Sequence, residues 1–220
     1  MSVLLLTGCL QYDLDLQFDS QTHGQWVQQV HWQGGKVAPS AELETWLQGL
    51  TDRTERVGGK LRFLNDETLE IAIPFNNGRD LEARFNQFFA EAENLTPFTL
   101  PGGESIQAQL SIRQGNWLLA IYNHVRLQVD LTNVPDLTNV AFPPLQNTQL
   151  LQGNIQLTTP WGARSLPSTE TLAAPQWPLV AGQLNEIDTD FWIPSPIGIG
   201  AAAIALISAA GYSFKYGFRR

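Results

Sequence analysis

Tyr12-Asp13-Leu14-Asp15-Leu16-Gln17-Phe18 alternates apolar and polar side chains without a break. Successive side chains of an extended chain leave opposite faces, so a period of two predicts a strand with one dry and one wet face. Asp19-Ser20-Gln21-Thr22-His23-Gly24 is rich in turn formers, and residues 25–32 form a second strand, which makes the pair a hairpin. Ser40 is placed to cap a helix over 41–57. Leu43, Trp46, Leu47, Leu50 and Val57 give that helix an apolar stripe, and Gly58-Gly59 ends it. The plan then repeats. Residues 60–64 and 68–75 make a hairpin around Asn65-Asp66-Glu67. Asn77-Gly78 turns the chain, with Gly78 expected at positive φ, and a helix over 80–92 carries Leu81, Phe85, Phe88 and Phe89 inward. The fold class read from this is α+β: an antiparallel sheet built from repeated strand-strand-helix units, with two helices on one face.

A Pro/Gly loop over 94–105 leads to a third hairpin, 106–113 and 117–131, turned at Gln114-Gly115-Asn116. Asn123-His124 interrupts the apolar run of its second strand, as a β-bulge would. After Leu131 the texture changes, with Pro135, Pro143, Pro144, Pro160, Pro167, Pro175 and Pro178 in a polar background. Short strands over 154–159 and 184–188 are the regular elements expected there. Residues 132–192 therefore read as a wrap over an α+β domain of 10–131, followed by a stalk.

The stalk ends at Ile197-Gly-Ile-Gly-Ala-Ala-Ala-Ile-Ala-Leu-Ile-Ser-Ala-Ala-Gly-Tyr212, which carries no charge. Taken as 193–214, the stretch meets the roughly 20 residues that a single helix needs to cross a bilayer. Trp192, Tyr212 and Tyr216 flank it as an aromatic belt does. Lys215, Arg219 and Arg220 place the 215–220 tail in the cytoplasm by the positive-inside bias. Gly198, Ala202, Ala205 and Ala209 form a small-residue face on which another membrane helix could pack. At the other end, Leu6-Thr7-Gly8-Cys9 reads as a lipobox with Cys9 as the lipid attachment site. Residues 1–9 would then be the remnant of a signal whose basic region lies upstream. Both anchors put residues 10–192 on the extracytoplasmic side.

Composition narrows the function. Before the span, ten Lys and Arg stand against 21 Asp and Glu, a formal charge of −11, which repels nucleic acid and anionic headgroups. One cysteine excludes an intrachain disulfide and a multi-cysteine metal site. Gly34-Gly35-Lys36 and Gly58-Gly59-Lys60 lack the spacing of a phosphate loop. His23, His31 and His124 have no i, i+4 partner, and Asp13 and Asp15 share a strand face without a third carboxylate. No nucleophile stands beside a base, and no catalytic, cofactor or metal residue is assigned. Trp26 and Trp32 lie an even number apart on one strand. They are either core beneath the helices or the lining of an apolar groove for a lipid, pigment or partner segment.

Cys9-Leu-Gln-Tyr-Asp, Phe18-Asp-Ser-Gln, Gly58-Gly-Lys and above all Ile73-Pro-Phe-Asn-Asn-Gly-Arg-Asp-Leu-Glu-Ala-Arg-Phe-Asn-Gln-Phe-Phe89 resemble a cyanobacterial and chloroplast family of lipoprotein-like proteins with a C-terminal span. More distantly they resemble the mycobacterial LppM-type lipoproteins. The resemblance covers residues 4–131 and thins in the Pro-rich part. It implies a thylakoid or plasma-membrane location with the domain in the lumen or periplasm, and it brings no activity with it. The expectation is a non-catalytic accessory or assembly protein for membrane complexes. The alternative is a carrier of an apolar lipid or pigment.

Overall fold

In the computed structural model, which describes residues 10–32, 41–90, 98–99, 104–135, 151–166 and 170–216, the opening alternation is an antiparallel hairpin of Leu10–Ser20 (β1) and His23–Trp32 (β2). Tyr12, Leu14, Leu16 and Phe18 are buried and the polar residues between them are half-buried, as a period of two requires. Helix Ala41–Arg56 (α1) follows, then the hairpin of Lys60–Asn65 (β3) and Thr68–Phe75 (β4), then helix Gly78–Phe89 (α2). Asn77 caps α2 by accepting from the Asp80 backbone N–H, and Leu81, Phe85, Phe88 and Phe89 are buried. Gly78 is not at positive φ. It sits in the first turn of α2, where an added Cβ would come within 2.9 Å of Ile112 Cγ2 and 3.0 Å of the Gln114 amide, so a larger side chain must push both neighbours aside.

The described residues form two sheets in place of a single antiparallel one, and residues beyond 131 enter both. In the first, the order is β10-β7-β1-β2-β4-β3, where Leu151–Thr158 (β7) runs parallel to β1 and Gln176–Leu179 (β10) makes the edge. Because β7 occupies the free side of β1, the third hairpin builds elsewhere. Gln107–Trp117 (β5) and Ala120–Asp130 (β6) join Leu184–Pro194 (β11), Ala163–Ser165 (β8) and Thr171–Leu172 (β9) in the order β5-β6-β11-β8-β9. The third hairpin turns at Leu118-Leu119 rather than at 114–116, and its register runs through Asn123 and His124 without a bulge. Asn123 instead points inward and accepts from Gln114 Nε2 at 2.7 Å.

The two helices touch each other, with Arg53 of α1 donating to the Phe88 carbonyl of α2, and both adjoin the first sheet: α1 lies against β3, whereas α2 lies against β4 and along the open edge of β5. There the Asn86 amide both donates to the Leu110 carbonyl and accepts from the Leu110 N–H, each at 2.8 Å. Glu82 accepts from the Ile112 N–H at 3.0 Å. An edge strand presents unpaired backbone groups, and these two side chains satisfy them as a neighbouring strand would.

The two sheets enclose one core, with Phe18 of β1 and Phe191 of β11 at 4.8 Å between ring centroids. Trp26 packs among Phe85, Phe88 and Phe89 of α2. β11 ends at Pro194, and after Ser195 alone helix Pro196–Tyr216 (α3) begins. α3 has a mean hydropathy of 1.7 and is long and apolar enough to cross a membrane. Of its described residues only Gly198 is buried.

Candidate functional site

The alternation Glu186-Ile187-Asp188-Thr189-Asp190-Phe191-Trp192-Ile193 in β11 turns Ile187, Thr189, Phe191 and Ile193 to the core and the other four outward. Antiparallel register sets each outward residue directly opposite an outward residue of β6: Glu186 opposite Gln128, Asp188 opposite Arg126, Asp190 opposite His124, and Trp192 opposite Tyr122. Every rung is complementary. Gln128 donates to Glu186 at 2.7 Å, Arg126 to Asp188 at 3.0 Å, and His124 Nδ1 lies 2.9 Å from Asp190. The Tyr122 and Trp192 rings are 5.1 Å apart.

Asp190 is the centre of this ladder. Its side chain, 8 % exposed, also accepts from the Tyr122 hydroxyl at 2.6 Å and from Arg164 Nη2 of β8 at 3.0 Å. Burial alone would raise its carboxyl, but the bonds from Tyr122, His124 and Arg164 outweigh it and hold the group below the usual carboxylate range. The same bond, helped by burial, pushes the Tyr122 phenol up to about 12. A carboxylate fixed by three donors and stabilised as the anion is poorly suited to take a proton. The arrangement is that of a structural anchor for β6, β11 and β8.

Beyond Trp192 the ladder becomes apolar. Trp117 lies 6.3 Å from Trp192, and Trp117, Leu118 and Leu119 at the β5–β6 turn are all exposed. This turn abuts the start of α3. Ser195 N–H donates to the Leu119 carbonyl at 2.9 Å, and a Cβ on Gly198 would fall on the Leu118 carbonyl oxygen. Leu118 holds φ 50, in the region that favours glycine. A second loop reaches the same end of the sheet. Ala163 pairs with Phe191, so the antiparallel strand brings Trp161 toward α3, through a turn at Gly162 with φ 74. Trp161, Gly162, Arg164, Thr171, Asp190, Phe191 and Trp192 line an open cleft of 380 Å³ there.

Of the residues singled out in the sequence, Trp26 is core and lines no groove. A 20 Å³ void between β1, α2 and the second sheet, lined by Tyr12, Phe85, Phe89 and Val129 among others and not by Trp26, has room for about one water. Trp32 closes β2, and its side chain lies outside the described residues, as does Cys9. Gly198 is covered by Leu118 of this chain, so the small-residue face open to another helix is reduced to Ala205 and Ala209, with Ala202 half-buried. Asp13 and Asp15 accept from Gln11 and Gln17 of their own strand. The ladder itself was missed, because pairing His124 with a carboxylate 66 residues away needs the register of β11. The available signal was the alternation over 184–194.

These features define a two-sheet α+β domain joined, with one residue between, to a helix able to span a bilayer. The chain belongs to the family described as "Protein of unknown function (DUF3153)", whose model matches residues 12–216 and so takes in both sheets and α3. Among solved structures it is similar to the folded domain of Mycobacterium tuberculosis LppM, determined by NMR. The identity is 10 % over 89 % of this chain and 97 % of that one, with a TM-score of 0.43. No curated protein matches it.

Proposed function

We propose that this protein is a non-catalytic, membrane-anchored accessory factor that presents its two-sheet domain to membrane-protein partners on the extracytoplasmic side. The observation that carries the reading is the joint at Ser195. The central strand of the second sheet becomes the apolar helix with one residue between them, and that helix is exposed along nearly its whole length. Exposed apolar surface on this scale needs a lipid or protein cover. A stiff joint holds the domain at one height and orientation, which raises the effective concentration of a weak surface for neighbours in the same membrane. β3, an edge strand with five of six residues exposed including Phe63 and Leu64, is the surface best suited to receive such a neighbour.

Lys215, Arg219 and Arg220 favour a cytoplasmic C-terminus, and lipidation at Cys9 would add a second anchor on the other side. The sequence resemblance favours a thylakoid or plasma membrane of a cyanobacterial or chloroplast lineage. The carrier alternative is less well supported, because the 20 Å³ interior void is far below the roughly 300 Å³ at which ligand pockets begin, and the 380 Å³ cleft is open to its surroundings and carries Arg164 and Asp190 beside its aromatic side chains. The test is mild detergent extraction of the tagged full chain. Stoichiometric membrane subunits that are lost on charge substitution at Phe63 and Leu64 support the accessory role. A clean monomer retaining a lipid or pigment supports the carrier.

A further inference from the structure

The β5–β6 turn bears two costs that its position alone does not require. Leu118 is exposed and also occupies φ 50, where glycine or asparagine would be cheaper. Its neighbours Trp117 and Leu119 are exposed as well, with Trp192 and Trp161 beside them. A free water-facing turn gains nothing from this composition.

The height of the turn supplies a reason. α3 has 21 residues, of which those before the charged Lys215 span about 28 Å at the usual helical rise, close to a hydrocarbon core of about 30 Å. Nearly all of the helix up to Phe214 is therefore used in crossing, which sets Pro196 near the bilayer boundary. Leu118 packs on Gly198, within the first turn of α3, so the turn stands level with that boundary. The outer face of the second sheet is graded toward the same level. It passes from Glu186–Gln128 through Asp188–Arg126 and Asp190–His124 to Tyr122–Trp192, and then to Trp117-Leu118-Leu119. Charge gives way to aromatic and then to aliphatic side chains, the order in which an interface replaces water with lipid.

We infer that Trp117-Leu118-Leu119, with Trp161 and Trp192, is a second membrane contact that seats in the headgroup–acyl boundary of the bilayer α3 crosses and fixes the tilt of the domain. The occupant is the lipid interface itself. The domain's formal −11 would repel anionic headgroups, so apolar insertion and not charge drives the contact. The inference rests on α3 crossing the membrane.

The test uses the full chain in phosphatidylcholine vesicles, with Cys9→Ser so that an introduced cysteine is unique. Nitroxide labels go on Leu118→Cys and, in a separate variant, Leu119→Cys. Ile204→Cys in α3 and Phe63→Cys on β3 report lipid and water. Power-saturation EPR compares collisions with oxygen against those with a water-soluble nickel chelate. Labels at 118 and 119 are expected to show an oxygen-to-nickel ratio several-fold above that at 63 and below that at 204. A water-like value at both positions, with 204 deep, overturns the inference and leaves the span standing. A water-like value at 204 removes the span and the inference with it. Depth at 118 that appears only when anionic lipid is added would mean electrostatic attraction and would also overturn it.

Discussion

Asp190 accepts from two strands at once, so its charge state should be legible in how stability depends on pH. Its carboxyl is held low in the folded state, hence the stability it contributes is present above the unfolded value of about 3.9 and is lost as pH falls through the folded one. Asp190→Asn should cost about 1–2 kcal/mol at neutral pH and flatten the acid limb below about pH 4, measured as melting temperature from pH 2 to 7. Parallel acid limbs would show that the carboxylate is not what holds the ladder. Tyr122 works in the opposite sense. Its raised value means that stability is full below about pH 10 and is lost between there and about 12. Tyr122→Phe should remove that alkaline loss. A second residue-scale test lies in the core, where the Tyr12 hydroxyl donates to Gln28 Oε1 at 2.6 Å while Gln28 Nε2, buried, has no partner among the described residues. Tyr12→Phe should cost about 1 kcal/mol by leaving both ends of the Gln28 amide unmatched. Tyr12→Phe with Gln28→Leu should recover that loss or better it. Additive losses in urea unfolding would rule out this pairing as the explanation.

At the scale of elements, glycines on two helices separate packing from propensity. Gly200→Ala meets nothing within 4 Å and should be neutral or stabilising, by up to about 1 kcal/mol. Gly198→Ala, two residues earlier, meets the Leu118 carbonyl and should destabilise the full chain in detergent despite the same gain in propensity. Equal melting of the two variants would mean that α3 does not pack on the turn. On α2, Gly78→Val drives branched carbons into Ile112 and Gln114 and should cost about 1–3 kcal/mol, while Gly78→Ala costs less because both neighbours end in movable side-chain atoms. What the sequence revealed at this scale was what is local. The Asn77-Gly78 turn and the Phe85, Phe88 and Phe89 stripe mark α2 unaided, and the alternation of 12–18 marks β1. The strand β7 escaped full notice because its partner in β1 lies 141 residues away, and β10 because Pro178 sits on an edge strand, where its missing N–H is tolerated. β11 read as a short strand in a stalk, since the carboxylates of its outer face look like loop polarity until the partners on β6 are known.

For the molecule as a whole, orientation is the first thing to test. Protease added to right-side-out vesicles should digest the domain and spare a C-terminal tag, and the reverse pattern in inverted vesicles should follow. Protection of the domain in right-side-out vesicles would reverse the proposed topology. The sheet order also dictates when the domain can be finished. β11 is the last strand made, yet it stands in the middle of its sheet, with β5 and β6 on one side and β8 and β9 on the other. None of β5, β6, β8 and β9 can complete that sheet until residues 184–194 arrive, and those residues are drawn out immediately ahead of α3. Loop closure over such separations is slow, so the half-built sheet waits with its edges open. With α3 inserted as proposed, the helix that halts translocation would also deliver the strand that closes the fold, and a chain truncated before residue 184 would lose that helix and the completed second sheet together.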